Sequence, residues 1–263
     1  MQLFLRPANL IQIISFFILL VLLGSGFYSG AENLGYNWQW FRVVKFFYQP
    51  LDGGFAPGPL LQGLNVTIQI VLISLVFSLV IGGVTALLRL SGSLVGSLIG
   101  YGYLETIRNT PLLVQVFVVY FVLAPVCGIG RFASAILALS LFEGAYAAEI
   151  IRAGILAIPR GQWDAARALG MSPRHCYRYI ILPQAISKVI PPLTSQSISL
   201  VKDSALVSTI AIYDLTMQGQ QIVAETFLTF EIWISVALVY LLLTLSMSGL
   251  VRLLEWSLVD QKS

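Results

Sequence analysis

Six long apolar runs, separated by shorter polar segments, dominate the pattern of hydrophobic and polar positions along the chain. They cover residues 10–27, 63–88, 112–127, 132–151, 189–212 and 232–254. About 20 apolar residues in a helix cross the hydrocarbon core of a bilayer, so each run has roughly the length of one span. The pattern therefore predicts an all-α integral membrane protein with about six transmembrane helices.

Composition narrows the class of protein further. Of the 263 residues, 57% are hydrophobic and only 10% are charged, whereas soluble domains carry about 25% charged residues. This composition excludes a disordered chain, a coiled coil and a soluble globular enzyme. The two cysteines, Cys127 and Cys176, and the single histidine, His175, predict no metal site, because two adjacent ligands cannot close a tetrahedral site.

The first apolar run has two possible interpretations. It follows Arg6 and is either a retained span or a secretory signal peptide, with small residues at 29–31 as the cleavage site. Because every later run is also membrane-like, we favour the retained span.

A polar and aromatic segment follows at residues 28–62. It mixes aromatic side chains with Arg42 and Lys45, which is typical of an interfacial helix at the membrane surface. Glycines and prolines at 52–54 and 57–59 are expected to break this helix into a loop. We therefore treat residues 1–62 as one domain, an N-terminal span with an extracytoplasmic interfacial segment.

The connection between the fourth and fifth runs is the most basic part of the chain. Residues 152–188 contain six Lys or Arg side chains and a single acid, Asp164. The positive-inside rule places this connection in the cytoplasm. With six spans both termini are then cytoplasmic, and eleven cations, including Arg6 and Lys262, lie on that side against three outside.

Small residues recur at every fourth position in two stretches. Ser74, Ser78 and Gly82 form the first set, and three glycines between positions 92 and 100 form the second. This spacing lets two membrane helices approach closely, so we interpret both sets as packing surfaces.

The basic connection also contains a specific pattern. Residues 164–170 read Asp-Ala-Ala-Arg-Ala-Leu-Gly, and nine residues later the chain reads Ile-Ile-Leu-Pro. Gly170 is expected to end a short helix, and Pro173 stands where a second helix would begin. The small side chains of Ala165, Ala166 and Ala168 suit insertion into a groove, and Arg167 and Arg174 suit an acidic partner surface. The pattern indicates a docking element for a cytoplasmic protein.

This pattern resembles the EAA motif of ABC importer permeases, Glu-Ala-Ala, three residues, Gly, nine residues and Ile-x-Leu-Pro. Here Asp164 replaces the first glutamate, and the other positions match through Pro183. The flanks resemble the polar amino-acid uptake branch of that family at residues 108–115, 148–154, 159–162 and 200–204. The resemblance implies a five-helix permease core at 63–263, with a coupling loop at 152–188 and residues 1–62 as an addition.

The resemblance also implies the mechanism and the partners. In this family the short helix of the loop lies in a cleft of a cytoplasmic ATPase dimer, whose ATP-driven closure turns two permease subunits from inward- to outward-facing. The residues implied in coupling are Asp164, Ala165, Ala166, Arg167, Leu169, Gly170 and Met171. The chain contains no Gly-Lys pair and so no P-loop. We therefore expect a transport subunit, not an enzyme, and no cofactor in this chain, with ATP and Mg bound by the partner ATPase.

Further partners follow from the same resemblance. They are a second permease subunit, either related or identical, an extracytoplasmic amino-acid-binding protein and membrane lipid, with no nucleic acid. The expected location is the bacterial inner membrane, crossed several times.

The fifth apolar run is the most polar of the six. After Pro191-Pro192, which predict an irregular start, polar residues follow at relative positions 0, 1, 4, 7 and 8, one face of a helix. We call this face the polar stripe, and it consists of Ser195, Gln196, Ser199, Lys202 and Asp203. Polar groups within a span avoid lipid, so the stripe either lines the substrate pathway, which we favour, or forms hydrogen bonds between helices.

Thr67, near Asn65 and Gln69 at the start of the second run, is a weaker pathway candidate. Helix capping or packing explains these three residues equally well.

Substrate preference is inferred from the stripe. Importers of basic amino acids in the resembling family carry an acid near the position of Gln196, where this chain is uncharged. Asp203 is the only acid in the stripe, and the adjacent Lys202 can neutralise it. Neutral polar or acidic amino acids are therefore favoured over arginine and lysine.

Two acids lie in the fourth run. Glu149 and Arg152 are three residues apart on a helix and are expected to form an ion pair. Glu143 lies deeper, and a partner such as Lys202 on another helix is one possibility.

Three other functions are possible alternatives. A gradient-driven secondary transporter or channel needs no ATPase, so the pattern at 164–183 would have no role in it. Secondary transporters also commonly show internal repeats, and the sequence contains none that we find. A membrane enzyme would need a nucleophile–base pair or a metal cluster at membrane depth. A purely structural membrane subunit, one half of a heterodimer, is the third alternative.

Overall fold

The structure, a computed structural model, describes residues 7–33, 35–51 and 54–260, almost all of them helical. The α-helices are α1 Pro7–Asn33, α2 Val44–Phe47, α3 Pro59–Leu90, α4 Leu94–Arg108, α5 Leu112–Phe117, α6 Ala124–Cys127, α7 Arg131–Leu156, α8 Arg160–Ala168, α9 Pro173–Cys176, α10 Leu182–Asp203, α11 Leu215–Thr226 and α12 Thr229–Asp260. Short 3-10 helices lie at Trp40–Arg42 and Ser204–Ile210, and π-helical stretches at Val118–Leu123 and Tyr177–Ile181. Two strands, β1 Tyr48–Leu51 and β2 Gly54–Pro57, complete the described elements.

The chain divides into two units, residues 1–41 and residues 42–263. In the first unit, α1 continues as a helix through residues 29–31, the small residues considered above as a cleavage site. An aromatic group follows, in which Trp38 and Trp40 stack at 6.1 Å and Tyr36 contacts Trp38 edge-on at 5.2 Å. Aromatic residues next to an apolar helix are typical of the membrane interface.

Among the described residues, four helical segments are long and apolar enough to cross a bilayer, or five if a bent pair counts as one span. The four segments are Gln12–Gly30, Pro59–Leu90, Arg131–Leu156 and Thr229–Gly249, and the bent pair is Leu94–Arg108 with Leu112–Cys127. The all-α membrane fold predicted from the sequence is thus confirmed. The predicted fifth span does not meet this criterion because its helix, α10, carries the polar stripe. Arg6 and Lys262, used above to orient the termini, lie outside the described residues.

The predicted third span is only the second arm of the bent pair, whose two arms meet at an angle of 107°. Pro111 produces this bend, since the residue before a proline avoids helical backbone angles. The side chain of Gln115 fixes the turn by donating hydrogen bonds to the carbonyls of Ile107 at 2.7 Å and Thr110 at 3.1 Å.

The segment before α3 differs from the loop predicted there. Strands β1 and β2 pair antiparallel, with Tyr48 opposite Pro57 and Leu51 opposite Gly54, while residues 52 and 53 lie outside the described residues. Gly58 then lies so close to the Phe46 carbonyl that any side chain would overlap it. The hairpin is thereby held directly against the start of α3.

The main helix contact joins α3 to α7 and confirms the predicted packing surface. Ser74, Ser78 and Gly82 are buried, and a β-carbon at Gly82 would lie 2.7 Å from Cβ of Ala147 and 3.0 Å from the backbone nitrogen of Ala148. These small residues bring two helix backbones together, as the spacing predicted.

Behind this contact, an apolar cluster joins α3, α5, α7 and α10. Ile70, Leu139 and Leu200 are fully buried at its centre, with Val201 and Val207 beside them. One side of α10 is therefore fixed to the core, which leaves the opposite side for other roles.

We expect Gly82→Ala to destabilise the protein by about 1–3 kcal/mol, because the added methyl group overlaps Cβ of Ala147, which is fixed to the α7 backbone and cannot move aside. The matched control is Gly83→Ala, one residue along the same helix, where a β-carbon meets nothing within 4 Å. Its higher helix propensity is expected to leave stability unchanged or slightly increased. Thermal unfolding in detergent measures both, and equal melting temperatures would contradict the close packing.

Candidate functional site

Helix α8 holds most of the residues predicted to couple to an ATPase, and it has a buried side and an exposed side. Ala166 is 2% exposed and packs against Ile155, Ile158 and Cys176. Trp163, on the same side, contacts Tyr177 edge-on at 5.0 Å. Ala166 therefore anchors the helix to its own chain, which corrects the expectation that it faces a groove of a partner.

The exposed side of α8 carries the other predicted coupling residues. Leu169, just past its end, is 81% exposed, and Asp164, Ala165, Arg167 and Ala168 are exposed as well. Asp164 and Arg167 approach each other only to 4.0 Å, with about three quarters of each side chain exposed. Such a pair contributes little to stability, so both charges are available to a partner.

A glycine turn ends α8, as the sequence predicted. Gly170 adopts the left-handed conformation with φ +72°, its amide donates to the Arg167 carbonyl at 2.9 Å, and the Met171 amide donates to the Ala166 carbonyl at 3.1 Å. These two bonds form a Schellman motif. A β-carbon on Gly170 would meet nothing within 4 Å, so this position faces open space.

The second predicted helix begins at Pro173, behind the N-cap Ser172. It is not a separate helix, because α9 continues through the π-helical stretch Tyr177–Ile181 into α10. Helix α8 is thus joined through one turn to the helix that carries the polar stripe.

An ion-pair cluster lies where α8 approaches the core. Glu149 pairs with Arg152 at 2.9 Å, which confirms the predicted ion pair, and also with Arg89 of α3. Arg108 of α4 adds a further favourable interaction with this carboxylate. No local pattern indicates Arg89 as a partner of Glu149, since the two residues are far apart along the chain. The cluster fixes the C-terminal end of α7, to which Lys188 of α10 also donates at the Ala157 carbonyl, at 2.8 Å.

Helix α10 presents the polar stripe on the side opposite the core. Ser195 and Lys202 are exposed and Gln196, Ser199 and Asp203 are partly exposed, whereas Leu200 and Val201 are 0% and 1% exposed. The one-sided distribution inferred from the spacing is therefore present in the fold.

Pro191 and Pro192 do not interrupt α10, contrary to the irregular start predicted from them. Proline keeps a helical φ, so the helix continues although the carbonyls of Ser187 and Lys188 lose their amide donors. The Thr194 hydroxyl donates within the next turn, to the carbonyls of Ile190 at 3.0 Å and Pro191 at 2.7 Å.

Glu143 of α7 is brought beside the polar stripe. Its carboxylate lies near the side chains of Gln196 and Asp203. Lys202, suggested above as a partner for Glu143, forms no ion pair with it among the described residues and is the sequence neighbour of Asp203. Spacing along the sequence could not show this contact, because it joins two different helices.

Thr67 lies in a packing position. It is fully buried, accepts a hydrogen bond from the Leu215 amide at 3.1 Å and donates to the Gly63 carbonyl at 3.1 Å. The first bond joins α3 to the start of α11, whose N-cap is the buried Asp214, and the second lies within α3. This geometry supports the capping and packing alternative for Thr67.

Across the described part of the chain, no three His, Cys, Asp or Glu side chains come together as a metal site. Within that part, Cys127 is exposed, Cys176 is buried, and both are free thiols.

The fold combines a bundle of membrane helices, the short exposed helix α8 in the basic connection and the polar stripe on α10. This combination is typical of a transport permease that is driven by a partner protein. Residues 78–259 match the family of binding-protein-dependent transport system inner membrane components, and the chain belongs to this family. It is thus a multi-pass component of the bacterial inner membrane. Membership implies a partner ATPase, and with it a second permease subunit and a substrate-binding protein.

Relatives within the family are permeases for amino acids and their derivatives. The glutamine transport system permease GlnP of Escherichia coli K12 is 38% identical over 199 residues, which cover 74% of this chain and 91% of GlnP. The L-cystine permease TcyB of Bacillus subtilis is 36% identical over 86% of this chain and 93% of its own length. The nopaline permease NocM of Agrobacterium fabrum is 39% identical over 75% and 86%.

Solved structures show the same fold. A crystal structure of an amino acid ABC transporter with histidines superimposes with a TM-score of 0.76 and 35% identity, covering 84% of this chain and all of that one. An inward-facing structure of the MetNI methionine ABC transporter gives a TM-score of 0.59 at 23% identity, which supports the fold alone.

We expect Glu149→Gln to lower the free energy of unfolding by about 2 kcal/mol, because the amide leaves two partly buried arginines without their counter-charge. Thermal unfolding of the purified permease in detergent measures this loss. The control is Asp164→Asn in the exposed pair on α8, which should change stability by less than about 0.5 kcal/mol. Similar losses for the two variants would mean that the Glu149 cluster has no special structural role.

Proposed function

We propose that this chain is the permease subunit of an ATP-driven importer of polar amino acids, neutral or acidic, and forms half of the translocation pathway. The observation that carries the proposal is the exposed side of α8. It ends at an open glycine turn and is attached to the helix that bears the polar stripe. The relatives named for glutamine and cystine transport support an amino-acid substrate.

In this proposal the exposed side of α8 binds a cytoplasmic ATPase through Asp164, Ala165, Arg167, Leu169 and Gly170. Met171, partly buried behind the turn, supports this surface from within the chain. The ATPase binds ATP and Mg, and it supplies the energy that this chain does not generate.

Movement of the ATPase would reach the pathway through a short and rigid connection. Trp163 and Ala166 fix α8 against the ends of α7 and α10, so α8 cannot move independently of them. A shift of α8 is therefore transmitted to α10 as a rigid-body movement, a common form of switching between two states.

The polar stripe supports a pathway shared with a second permease subunit. Ser195 and Lys202 are exposed on this single chain, and exposure of a cation to lipid is unfavourable. A second subunit facing the stripe would enclose a wet pathway between two such surfaces. Substrate would arrive from an extracytoplasmic binding protein.

The topology follows from the same proposal. If α10 crosses the membrane with its stripe toward water, the six spans are α1, α3, the bent pair, α7, α10 and α12. The basic residues of 152–188 then lie in the cytoplasm together with both termini, and residues 1–62 form the N-terminal span with its extracytoplasmic segment.

We expect Gly170→Asp to uncouple ATP hydrolysis from uptake, lowering uptake at least about tenfold while hydrolysis continues. A side chain at position 170 contacts no other part of this chain, so the added carboxylate would face the partner ATPase. We expect it to be repelled by an acidic surface on that partner. Gly170→Ala, which has the same left-handed backbone strain without the charge, is the control and should retain most uptake. Proteoliposomes containing the full transporter measure both rates, and normal uptake by the Asp variant would refute docking at this turn.

Competition assays test the substrate class. Unlabelled glutamine or glutamate is expected to block uptake of labelled glutamine by the reconstituted transporter, and arginine to block it far less. The physical reason is the uncharged Gln196 in the stripe and the positive charge of Lys202 next to Asp203. Arginine competing as well as glutamine would overturn the preference, although not the transport function.

A further inference from the structure

A cavity of about 250 Å³ lies at the bend between α4 and α5, against α7. Polar residues near the bend line one end of it, namely Thr106, Thr110 and Gln115, and apolar residues such as Leu123 and Ala138 line the rest. Leu123 is eight residues beyond Gln115, roughly 10 Å along the helix. The lining of the cavity therefore changes from polar to apolar over this distance.

The outer side of the cavity opens on the surface of the helix bundle. Val114 and Val118 line it, and they are 47% and 45% exposed. In a bilayer such an apolar surface lies next to acyl chains. The cavity is smaller than the roughly 300–1,000 Å³ of pockets that enclose a drug-sized ligand. It thus has room for part of an acyl chain, and the head of such a molecule would lie outside it.

Gln115 has an unused acceptor at the polar end of the cavity. Its side chain is 9% exposed, and its amide nitrogen donates to the carbonyls of Ile107 and Thr110. Its oxygen, Oε1, is buried and has no hydrogen-bond partner. A buried acceptor without a donor is unfavourable. A ligand that supplies an O–H or N–H group at this end of the cavity would satisfy it.

Arg108 stands beside the polar end of the cavity. It directly follows Ile107, which lines the cavity, in the last turn of α4. Its side chain is exposed, and its guanidinium lies over the Tyr146 ring of α7 at 5.7 Å. Among the described residues it forms no ion pair. An exposed guanidinium that is held at the edge of an apolar cavity is suited to bind a phosphate group.

The charges around Arg108 leave an excess of positive charge. One carboxylate, that of Glu149, pairs with both Arg89 and Arg152. Another acid, Glu105, lies one turn before Arg108 on α4. These three arginines stand against two glutamates, and the buried Nε of Arg152 has no hydrogen-bond partner. An anion next to Arg108 would balance the remaining charge.

We propose that this cavity is a binding site for an anionic phospholipid, with the phosphate at Arg108 and the first part of one acyl chain inside the cavity. The site presents a cation, then hydroxyl and amide groups, then apolar side chains, which is the order of phosphate, glycerol and chain in such a lipid. A hydroxyl of a glycerol head group can donate to Oε1 of Gln115. Basic pockets between membrane helices recognise lipid head groups in this way.

The lipid site goes beyond the transport function proposed above. Only the choice of leaflet rests on that proposal, since the cluster around Glu149 lies where the basic connection of residues 152–188 begins. In the proposed topology this is the cytoplasmic leaflet.

The test titrates the purified permease–ATPase complex in detergent with phosphatidylglycerol and counts bound lipid by native mass spectrometry. Phosphatidylcholine with the same chains lacks the net charge, and glycerol 3-phosphate has the phosphate without the chains. We expect one phosphatidylglycerol per copy of this chain, bound roughly 10-fold more tightly than phosphatidylcholine, as for a hydrogen bond to a charged group. Glycerol 3-phosphate should not displace it.

The head of the site is tested by Arg108→Gln, which removes the charge and should bring the ratio of the two lipid affinities close to one. Arg108→Lys keeps the charge and should retain most of the preference. The matched control is Arg178→Gln. Arg178 is also exposed and lies over an aromatic ring, that of Tyr179, at the same 5.7 Å, but it does not adjoin the cavity. Its replacement should leave the preference unchanged.

The tail of the site is tested by Val118→Phe, which fills the cavity from its open side. We expect the affinity for phosphatidylglycerol to fall about fivefold or more, the effect of losing one or two buried methylene groups. The matched control is Val122→Phe, one turn further along, where the side chain is 57% exposed and does not line the cavity. Both positions are exposed, so melting curves without added lipid should match wild type.

Equal wild-type affinities for the two lipids overturn the proposal, as does an undiminished preference in Arg108→Gln or undiminished binding in Val118→Phe. Displacement by glycerol 3-phosphate would indicate a site for a soluble phosphate and also overturns it. If the second permease subunit covers the cavity instead, Val118→Cys cross-links to that subunit and no lipid is bound, which is equally decisive. If Arg108→Gln does not assemble, the pair Val118→Phe and Val122→Phe decides alone. The assay measures binding without transport, so its result is independent of the substrate.

Discussion

The close contact between α3 and α7 is the interaction on which the rest of the structure depends. Membrane helices gain little from the hydrophobic effect among lipid tails, so they associate through close packing and polar contacts. Gly82 lets α3 lie directly against Ala147, and the ion pair between Arg89 and Glu149 joins the same two helices nearer their C-terminal ends. Because α7 is fixed in this way, the positions of α8, which follows it, and of Glu143, which faces α10, are fixed as well.

In the proposed function, the fixed end of α7 explains how a cytoplasmic ATPase can act on a pathway inside the membrane. A flexible loop would absorb movement, whereas α8 is packed through Trp163 and Ala166 on one side and closed by the Schellman turn at Gly170. Lys188 further joins α10 to the last turn of α7 through the Ala157 carbonyl. Under the proposed function, force applied to the exposed side of α8 meets a packed body and would displace α10 together with the stripe.

Local features of this fold were predictable from the sequence, and contacts between distant segments were not. Apolar length predicted the helices, the positions of Gly170 and Pro173 predicted the end of α8 and the start of α9, and helical spacing predicted the pair of Glu149 with Arg152. The bend at Pro111, the β-hairpin and the contact of Arg89 with Glu149 depend on how separate segments meet in space. The candidate site shows the same difference. The helical spacing of polar residues predicted the stripe on α10, whereas the position of Glu143 beside the stripe could not be predicted because Glu143 belongs to another helix.

The distribution of polar groups on α10 also argues that this chain is not a complete transport unit. Its apolar side is used within the chain, because Leu200 and Val201 are almost fully buried against α3 and α7. Its polar side includes an exposed cation, Lys202, and lies in front of a buried acid, and neither group is stable against hydrocarbon. A second subunit that covers the stripe removes this conflict and encloses water around the same residues. In the proposed function, the requirement for a second subunit and the pathway itself thus have one physical origin, the exposed polar side of α10.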